Sequence, residues 1–238
     1  LIKNLEGGFL IQREDPLREI DKFLEDKHLM VASNRGPVEF HEMDDGSLEG
    51  RRGAGGLVST LLPIMETVKG TWIASTMTLG DKVAAERFPD GRVPVPEDEP
   101  KFWVPFVSVD PESYEDYYSV ISNPLLWFVQ HYMWNPPYKI HNAWKNGYVH
   151  VNKRFADKVV EESKLNEKEA LIILQDYHLY LCPAYIREKL EDNFLSQFIH
   201  IPWPQPEYFC ILPDYMKEAI VTGLLSNDIV GFHIEKYV

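Results

Sequence analysis

The chain has 238 residues, of which 37 are Asp or Glu and 24 are Lys or Arg, so its formal net charge is −13 at pH 7. This acidity argues against nucleic acid or an anionic membrane as partner, since both require clustered positive charge. Hydrophobic residues make up 45% of the chain and charged residues 26%, which excludes wholesale disorder. No apolar run approaches the roughly 20 residues of a membrane span. With Cys182 and Cys210 as the only cysteines, we expect a reducing, cytoplasmic setting.

The chain begins with a charged stretch that has an apolar face. Between residues 13 and 27, apolar side chains recur at spacings of three and four, which predicts an amphipathic helix. We assign residues 1–28 to an N-terminal helical arm. Because no clear linker interrupts the rest of the chain, we assign residues 29–238 to a single domain.

The rest of the first half mixes short apolar strands with polar segments. Residues 41–52 are polar and charged, which predicts an exposed loop, and residues 81–100 carry Pro, Gly and charge, which predicts an excursion on the surface. Asp110 suits a helix N-cap, and Pro111 suits the first helical position. Strands are predicted at residues 29–32, 71–74 and 102–107, and a helix is predicted to follow the glycines of residues 53–56.

The second half alternates strands and helices more regularly. Residues 170–174 are apolar throughout, which is typical of a strand buried on both faces. Strands that alternate with helices indicate a parallel sheet covered on both sides, so we predict a doubly wound, Rossmann-like α/β domain. The other predicted elements are helices at residues 144–162, 179–190 and 215–225 and strands at residues 198–201 and 228–232.

Polar residues follow three of these strands where each strand ends. Ser33-Asn34-Arg35 follows the first strand, Gln175-Asp176-Tyr177-His178 follows the apolar run, and His200 closes the strand at Phe198. In open parallel sheets, ligands bind outside the carboxyl ends of the strands. The three polar sets are therefore predicted to meet at one edge of the sheet and to form a ligand site.

A glycine-rich segment, Gly53-Ala54-Gly55-Gly56, precedes a predicted helix and is a candidate anion cradle. Glycines let backbone N–H groups approach phosphate oxygens, and the helix N-terminus adds positive potential. Arg51 and Arg52 just upstream could add charge. The segment equally fits a flexible loop that leads into a helix. It matches neither the dinucleotide fingerprint nor the Walker A pattern, which argues against a nicotinamide-dependent oxidoreductase.

Each candidate side chain also has a structural interpretation. Arg35 could hold a sugar phosphate with its guanidinium fork or form a surface salt bridge. Asp176 could accept a hydrogen bond from a substrate hydroxyl or cap the helix near Leu179, and both could hold. His200 could contact a ligand at the end of its strand or be a satisfied core residue. Both interpretations remain open for each residue at this point.

The chain has no visible nucleophile and no metal-ligand pattern. It lacks a Gly-x-Ser-x-Gly elbow, and Cys182 lies inside an apolar helix, so nucleophilic hydrolysis is poorly supported. His131, His141 and His150 have no partner at a metal-binding spacing, so we expect neither a metal nor a cofactor. The aromatic residues best suited to lining a sugar pocket are Tyr117, Tyr118 and Trp127.

Six motifs in this order resemble the trehalose-6-phosphate synthase family, from about Leu29 to Val238. The family consists of retaining glycosyltransferases of the GT-B type, with two Rossmann-like domains that face each other across a cleft. They transfer glucose from a nucleotide sugar, usually UDP-glucose, to glucose 6-phosphate without a metal. The motifs are Ser33-Asn34-Arg35-Gly36-Pro37, Gly53-Ala54-Gly55-Gly56-Leu57, Tyr117 to Tyr132, Tyr148 to Asn152, Gln175-Asp176-Tyr177-His178-Leu179 and His200-Ile201-Pro202-Trp203-Pro204.

The resemblance implies a role for each matching residue. Asp176 and His200 would be the catalytic residues, in a site that needs no enzyme nucleophile. The acceptor site would comprise Arg35 and Tyr118 on the phosphate, Trp127 on the pocket wall and Asp176 on the hydroxyls. The donor site would comprise the backbone of Gly55 and Gly56 on the diphosphate and His200 on a glucose hydroxyl.

The chain also departs from the family pattern near the sugar pocket. Ile73-Ala74-Ser75, Phe128 and Trp203-Pro204-Gln205 replace residues more usual in the family. A related synthase, such as one that makes glucosylglycerol phosphate, is therefore an alternative, and a non-catalytic sugar-phosphate-binding regulatory module is another. The resemblance further implies that this chain is the acceptor-side half of the enzyme, inactive alone, whose partner is a C-terminal donor domain. The oligomeric state is left open, a homo-oligomer included.

Overall fold

A computed structural model describes residue 20, residues 22–88 and residues 90–237 of the chain. Most of the helix predicted for residues 13–27, and most of the N-terminal arm, lie outside the described residues. Of that helix, residues 20, 22 and 23 are helical, residues 24–26 form a turn and Lys27 already begins the first strand. Within the described residues, no helix combines the length and the apolar character that crossing a membrane requires.

The domain is built on a seven-stranded sheet in the order β5-β6-β4-β1-β7-β8-β9. Every neighbouring pair is parallel except the edge pair β5 and β6. This mainly parallel α/β sheet confirms the predicted fold class. The strands are β1 (Lys27–Ser33), β4 (Thr71–Ser75), β5 (Arg92–Val95), β6 (Phe102–Val107), β7 (Glu169–Gln175), β8 (Phe194–Ile199) and β9 (Ile229–Phe232), and β2 (Val38–Glu42) pairs with β3 (Leu48–Arg52) in a separate antiparallel hairpin.

Helices connect the strands. Helices α3 and α4 are each continuous but contain a π-helical segment, at Asp116–Trp127 in α3 and at Trp144–Val149 in α4. The helices are α1 (Gly56–Val68), α2 (Leu79–Arg87), α3 (residues 111–130), α4 (residues 140–164), α5 (Cys182–Arg187), α6 (Pro206–Phe209) and α7 (Asp214–Leu225), with 3₁₀ turns at Tyr177–Leu179 and Glu235–Tyr237.

Two apolar clusters, one larger than the other, enclose the sheet. The larger cluster joins the central strands to α3, α4, α5 and α7, and the smaller joins β1, β4 and β6 to α1. The predicted apolar face of α4 is confirmed, since Tyr148, Val151, Phe155 and Val159 are fully buried. Asp110 and Pro111 begin α3 as predicted, and the Asp110 carboxylate accepts a hydrogen bond from the Ser113 N–H at 2.8 Å.

Two segments predicted as irregular contain regular structure. Residues 41–52 form most of the β2–β3 hairpin rather than a loop, although their side chains are mainly exposed. The signal for it was Asp45-Gly46 between the strands, a pair that favours tight turns, and Gly46 has a φ of 78°. Residues 81–100 were wrongly predicted as a surface excursion, since they include most of α2 and the whole of β5.

Two predicted elements have different bounds for identifiable reasons. The helix predicted for residues 179–190 is confined to α5, and it starts late because the Asn152 side-chain oxygen accepts from the N–H groups of Leu181 and Cys182, the residues at its beginning. The strand predicted for residues 198–201 is β8, which starts at Phe194 and ends at Ile199. The N–H of His200, the next residue, donates to the Asp176 carboxylate rather than to a neighbouring strand.

Candidate functional site

Two adjoining cavities lie at the carboxyl edge of the central strands. The larger has a volume of about 740 Å³ and the smaller about 160 Å³. Leu57, Gln175 and Asp176 line both cavities, so Asp176 stands between them. The larger cavity is also lined by Gly56, His200 and His233, among others, and the smaller by Ser33, Asn34, Arg35, Tyr118 and His178. The three polar sets predicted to converge therefore meet here.

Asp176 has a strained backbone that its neighbours hold in place. Its φ of 68° and ψ of 178° lie in a region that is nearly exclusive to glycine and costs about 1–3 kcal/mol for other residues. The Asp176 N–H donates to the Phe198 carbonyl at 2.7 Å, and the Asp176 carbonyl accepts from the Gln197 side-chain amide at 3.1 Å. Strain retained in this way is typical of functional sites.

The Asp176 carboxylate lies largely out of water. Burial raises its pKa from 3.8 to about 6, against the opposing effect of hydrogen bonds from the N–H groups of Tyr177 and His200. Apart from the bond with the adjacent Tyr177 N–H, the Asp176 side chain makes no capping bond to the following 3₁₀ turn. Of the two interpretations of Asp176 drawn from the sequence, the ligand contact is thus the one that the geometry favours.

His200 belongs to a cluster of polar rings at the larger cavity. Its Nε2 lies 2.7 Å from the Gln175 Oε1, and its ring centroid lies 5.4 Å from that of His233. Burial, together with the nearby His233, lowers the pKa of His200 below 6.5. A half-buried imidazole with this environment is neutral at pH 7 and can exchange hydrogen bonds with hydroxyl groups.

Arg35 and an aromatic stack border the smaller cavity. The Ser33 hydroxyl donates to the Arg35 carbonyl at 2.6 Å, which fixes the turn after β1, while the Arg35 side chain is exposed. The Tyr118 hydroxyl lies beside the guanidinium and raises the pKa of Arg35. The Tyr118 ring stacks on His178, with centroids 5.8 Å apart, and on Tyr114.

His178 lines this cavity and has one polar atom without a partner. Within the part of the chain that the structure describes, its buried Nε2 has no hydrogen-bond partner. Burial and the charge of Arg35 lower the pKa of His178 to about 3, so its imidazole is neutral. A buried polar atom without a partner costs free energy, and such atoms are more often retained at functional sites than elsewhere.

The glycines predicted as an anion cradle begin α1 beside both cavities. Gly55 is the N-cap, with φ 123° and ψ 163°, a conformation that other residues rarely adopt. A Cβ atom placed on Gly55 or Gly56 would meet no atom within 4 Å, so the space in front of these backbone groups is open. The first turn of α1 has no acidic residue to oppose an anion. The geometry suits a phosphate-bearing ligand.

Trp127 and Arg51 lie away from the cavity walls. Trp127 is half-buried against the larger core cluster and stacks on His131, with ring centroids 3.9 Å apart. Arg51, considered above as an extra charge for the glycine loop, pairs with Glu49 on β3 at 2.7 Å. Among the described residues, no group of three or more His, Cys, Asp or Glu side chains is arranged to hold a metal ion.

Two further residues belong to the site without having been predicted in it. His233 lines the larger cavity directly after β9, so the strand-end rule, which found Gln175 after β7, would have found His233 too if applied to every strand. Asn152 is fully buried on α4 and fixes the turn after β7 by binding the His178 carbonyl. In the sequence, Asn152 could have been found as a polar residue within an otherwise apolar helix face.

A mainly parallel sheet, two cavities at its carboxyl edge and a glycine-started helix define the class of this domain. It is the Rossmann-like domain of a GT-B glycosyltransferase, the architecture shared by its structural neighbours. The chain belongs to glycosyltransferase family 20, whose model matches residues 27–238.

The relatives support this membership and are much longer. The trehalose-6-phosphate synthase of Mycobacterium avium is 35% identical over 205 residues, which cover 86% of this chain and 39% of that protein. The enzyme of Mycobacterium tuberculosis is 34% identical over 212 residues, which cover 88% of this chain and 40% of that protein. This chain thus spans about two fifths of the length of the curated relatives it matches.

Solved structures show the same fold. The trehalose-6-phosphate protein of Escherichia coli bound with UDP-2-fluoro glucose superposes with a TM-score of 0.68 at 27% identity, covering 88% of this chain and 40% of that chain. The N-terminal domain of the Candida albicans trehalose-6-phosphate phosphatase superposes with a TM-score of 0.67 at 21% identity, covering 89% of this chain and 41% of that one. The second likeness concerns the fold alone.

Proposed function

We propose that this chain is the acceptor-side half of a retaining glycosyltransferase that moves glucose from UDP-glucose to glucose 6-phosphate and forms trehalose 6-phosphate. The observation that carries the proposal is the position of Asp176 between two cavities, one bordered by Arg35 and the other by the start of α1. The names of the relatives support trehalose-phosphate synthesis. A cytoplasmic setting belongs to the same proposal.

The acceptor would occupy the smaller cavity. Arg35 would hold the phosphate as a fork, because a guanidinium can donate two parallel hydrogen bonds to phosphate oxygens. Tyr118 would add its hydroxyl to the same phosphate, whereas Trp127, which lies outside the lining of this cavity, would have no direct contact with the acceptor. Asp176 would accept hydrogen bonds from sugar hydroxyls, and the unpartnered Nε2 of His178 would take another.

The donor would occupy the larger cavity. Backbone N–H groups at Gly55 and Gly56 would face the diphosphate at the N-terminus of α1, where the helix dipole favours negative charge. His200 would bind a hydroxyl of the donor glucose. The volume of about 740 Å³ lies within the range usual for ligand pockets.

The transfer would need no covalent enzyme intermediate and no metal. The acceptor hydroxyl oxygen would bond to the anomeric carbon on the face from which the diphosphate departs, which keeps the anomeric configuration. The bond from that carbon to the diphosphate oxygen breaks, and the hydroxyl proton passes to the departing diphosphate. The protein would contribute positioning and charge stabilisation.

Calorimetry with glucose 6-phosphate tests the acceptor assignment. Arg35→Ala should weaken binding at least about tenfold, since a charged hydrogen-bond pair contributes about 1.5–3 kcal/mol. Arg51→Ala is the matched control, because Arg51 is exposed and pairs only with Glu49 among the described residues. Equal affinities of the wild type and Arg35→Ala would remove Arg35 from the acceptor site.

Two alternatives are separated by further measurements. Tighter binding of glycerol 3-phosphate than of glucose 6-phosphate would favour a glucosylglycerol-phosphate synthase. If the protein is a regulatory module, its full-length form would bind glucose 6-phosphate but would release no UDP from UDP-glucose. We expect the full-length protein to release UDP and residues 1–238 alone to release none.

A further inference from the structure

The β2–β3 hairpin joins the two phosphate-binding elements of the proposed site. Arg35 lies three residues before β2, and Gly55 lies three residues after β3. The base of the hairpin is tied by the Gly53 N–H, which donates to the Pro37 carbonyl at 2.8 Å. Any displacement of the hairpin therefore acts on both Arg35 and the start of α1.

The hairpin is not hydrogen-bonded into the main sheet, so its position depends on other contacts. The main polar contact is with the N-terminus of α2. The Phe40 N–H donates to the Asp81 Oδ1 at 2.8 Å, and the Phe40 carbonyl accepts from the Thr78 hydroxyl at 2.6 Å. Gly80 permits this approach, since a Cβ atom there would lie 2.1 Å from the Phe40 oxygen.

Asp81 is the centre of this contact. It is 1% exposed, and its other oxygen accepts hydrogen bonds from the N–H groups of Met77 and Thr78 at 2.7 and 2.9 Å. Its own N–H donates to the Thr78 hydroxyl and completes a capping box. One carboxylate thus fixes the start of α2 and holds the middle of β2 against it.

We propose that Asp81 is a positioning residue that sets the distance between the acceptor-phosphate and donor-phosphate contacts through the hairpin. The proposal rests on the proposed function for its effect on substrates. Its structural part, the anchoring of the hairpin by Asp81, stands independently. The side chain of Asp81 acts through Phe40 and lies outside the lining of both cavities.

Hydrogen exchange of the unliganded chain tests the anchoring. Asp81→Asn places an amide N–H₂ where backbone N–H groups now converge, so amides of residues 36–56 should exchange at least about tenfold faster. Amides of β1 and β7 should keep their wild-type rates, whereas a general loss of stability would speed exchange in those strands too. Unchanged exchange over residues 36–56 would overturn the proposal.

Calorimetry with glucose 6-phosphate tests the consequence for the site. Asp81→Asn should weaken binding about tenfold although Arg35 and Asp176 are intact. Asp214→Asn is the matched control, since Asp214 is an exposed carboxylate in the first turn of α7. Faster hairpin exchange with unchanged affinity would overturn the positioning role. If the wild type itself does not bind glucose 6-phosphate, the proposed function fails while the exchange result still decides the anchoring.

A milder variant covers the case in which Asp81→Asn does not fold. Thr78→Val keeps the side-chain volume and removes only the hydroxyl that joins the Phe40 carbonyl to the Asp81 N–H. It should speed exchange over residues 36–56 and weaken glucose 6-phosphate binding in the same direction, by a factor of about three to ten. Wild-type behaviour in both measurements would contradict the proposal.

Discussion

The Oδ1 of Asp176 accepts a hydrogen bond from the backbone N–H of His200 at 3.1 Å. This bond joins the loop after β7 to the loop after β8, so the two proposed catalytic residues are held as a unit. Gln175 adds a second link, through its side-chain oxygen to the His200 ring. The acceptor side and the donor side of the site therefore share one rigid boundary, and changes there should affect both stability and binding.

Asp176→Asn should stabilise the fold at neutral pH. Burial raises the pKa of Asp176 from 3.8 to about 6, so the folded state binds more protons than the unfolded state between these values. Stability is then lost as pH rises through this window, by up to about 3 kcal/mol once the carboxylate is charged. Asparagine has no charge and can still accept from the His200 N–H.

Urea denaturation of both proteins at pH 4 and pH 7.5 measures this effect. The variant should be more stable by about 1–3 kcal/mol at pH 7.5, and the difference should shrink at pH 4. Glu49→Gln is the control, because Glu49 is an exposed carboxylate on β3. A variant less stable than the wild type at pH 7.5 would show that the carboxylate has a stabilising partner.

Gly56→Ala should weaken donor binding without harming the fold. An added Cβ would meet no protein atom within 4 Å, and alanine favours the helix by about 0.5–1 kcal/mol relative to glycine. If the donor diphosphate approaches this backbone, the methyl group occupies its space. UDP-glucose affinity should fall at least about tenfold while the melting temperature stays level or rises.

The control for Gly56→Ala is Thr67→Ala, near the other end of the same helix and exposed. Calorimetry measures the affinity of the full-length protein for UDP-glucose in both variants. Undiminished affinity in Gly56→Ala would mean that the diphosphate lies elsewhere.

Tyr118→Phe should weaken acceptor binding selectively. The hydroxyl lies beside the Arg35 guanidinium, whereas the ring stacks on Tyr114 and His178, and phenylalanine keeps those stacks. Loss of one hydrogen bond to a charged phosphate should reduce glucose 6-phosphate affinity about five- to tenfold, with UDP-glucose affinity unchanged. Calorimetry with each ligand measures both, and a parallel loss of the two affinities would point to a disturbed fold instead.

The sequence predicted the central sheet and the location of the site correctly, whereas it predicted the hairpin and the bounds of some helices less well. Apolar runs such as residues 170–174 become central strands because burial on both faces demands it. The polar groups after those strands then meet by topology alone, which brought Arg35, Asp176 and His200 together. The hairpin was missed because its side chains are exposed, and its anchor at Asp81 depends on a contact 41 residues apart in sequence.

The positive φ of Asp176 and the short length of α5 also escaped prediction, for a related reason. Both depend on hydrogen bonds with distant residues: the Gln197 amide donates to the Asp176 carbonyl, and the Asn152 oxygen accepts from the N–H groups at the start of α5. Local propensity carries no information about such partners. Buried polar residues on apolar helix faces are the places where the sequence indicates that such bonds exist.

Asn152→Ala should both destabilise the protein and weaken acceptor binding. The Asn152 amide donates to the carbonyls of Tyr148 and His178, and its oxygen accepts from the N–H groups of Leu181 and Cys182. Alanine leaves the His178 carbonyl and both N–H groups buried without these partners, which should cost about 2–4 kcal/mol. The freed turn should also displace His178 from the smaller cavity.

Urea denaturation and glucose 6-phosphate calorimetry together test the role of Asn152. Asn166→Ala is the matched control, because Asn166 makes one hydrogen bond, to the Glu162 carbonyl, just beyond the end of α4. The control should lose less than about 1 kcal/mol and bind normally. A stable Asn152→Ala with normal affinity would mean that the turn after β7 keeps its conformation without the Asn152 side chain, so that the strain at Asp176 is maintained by Gln197 and Phe198 alone.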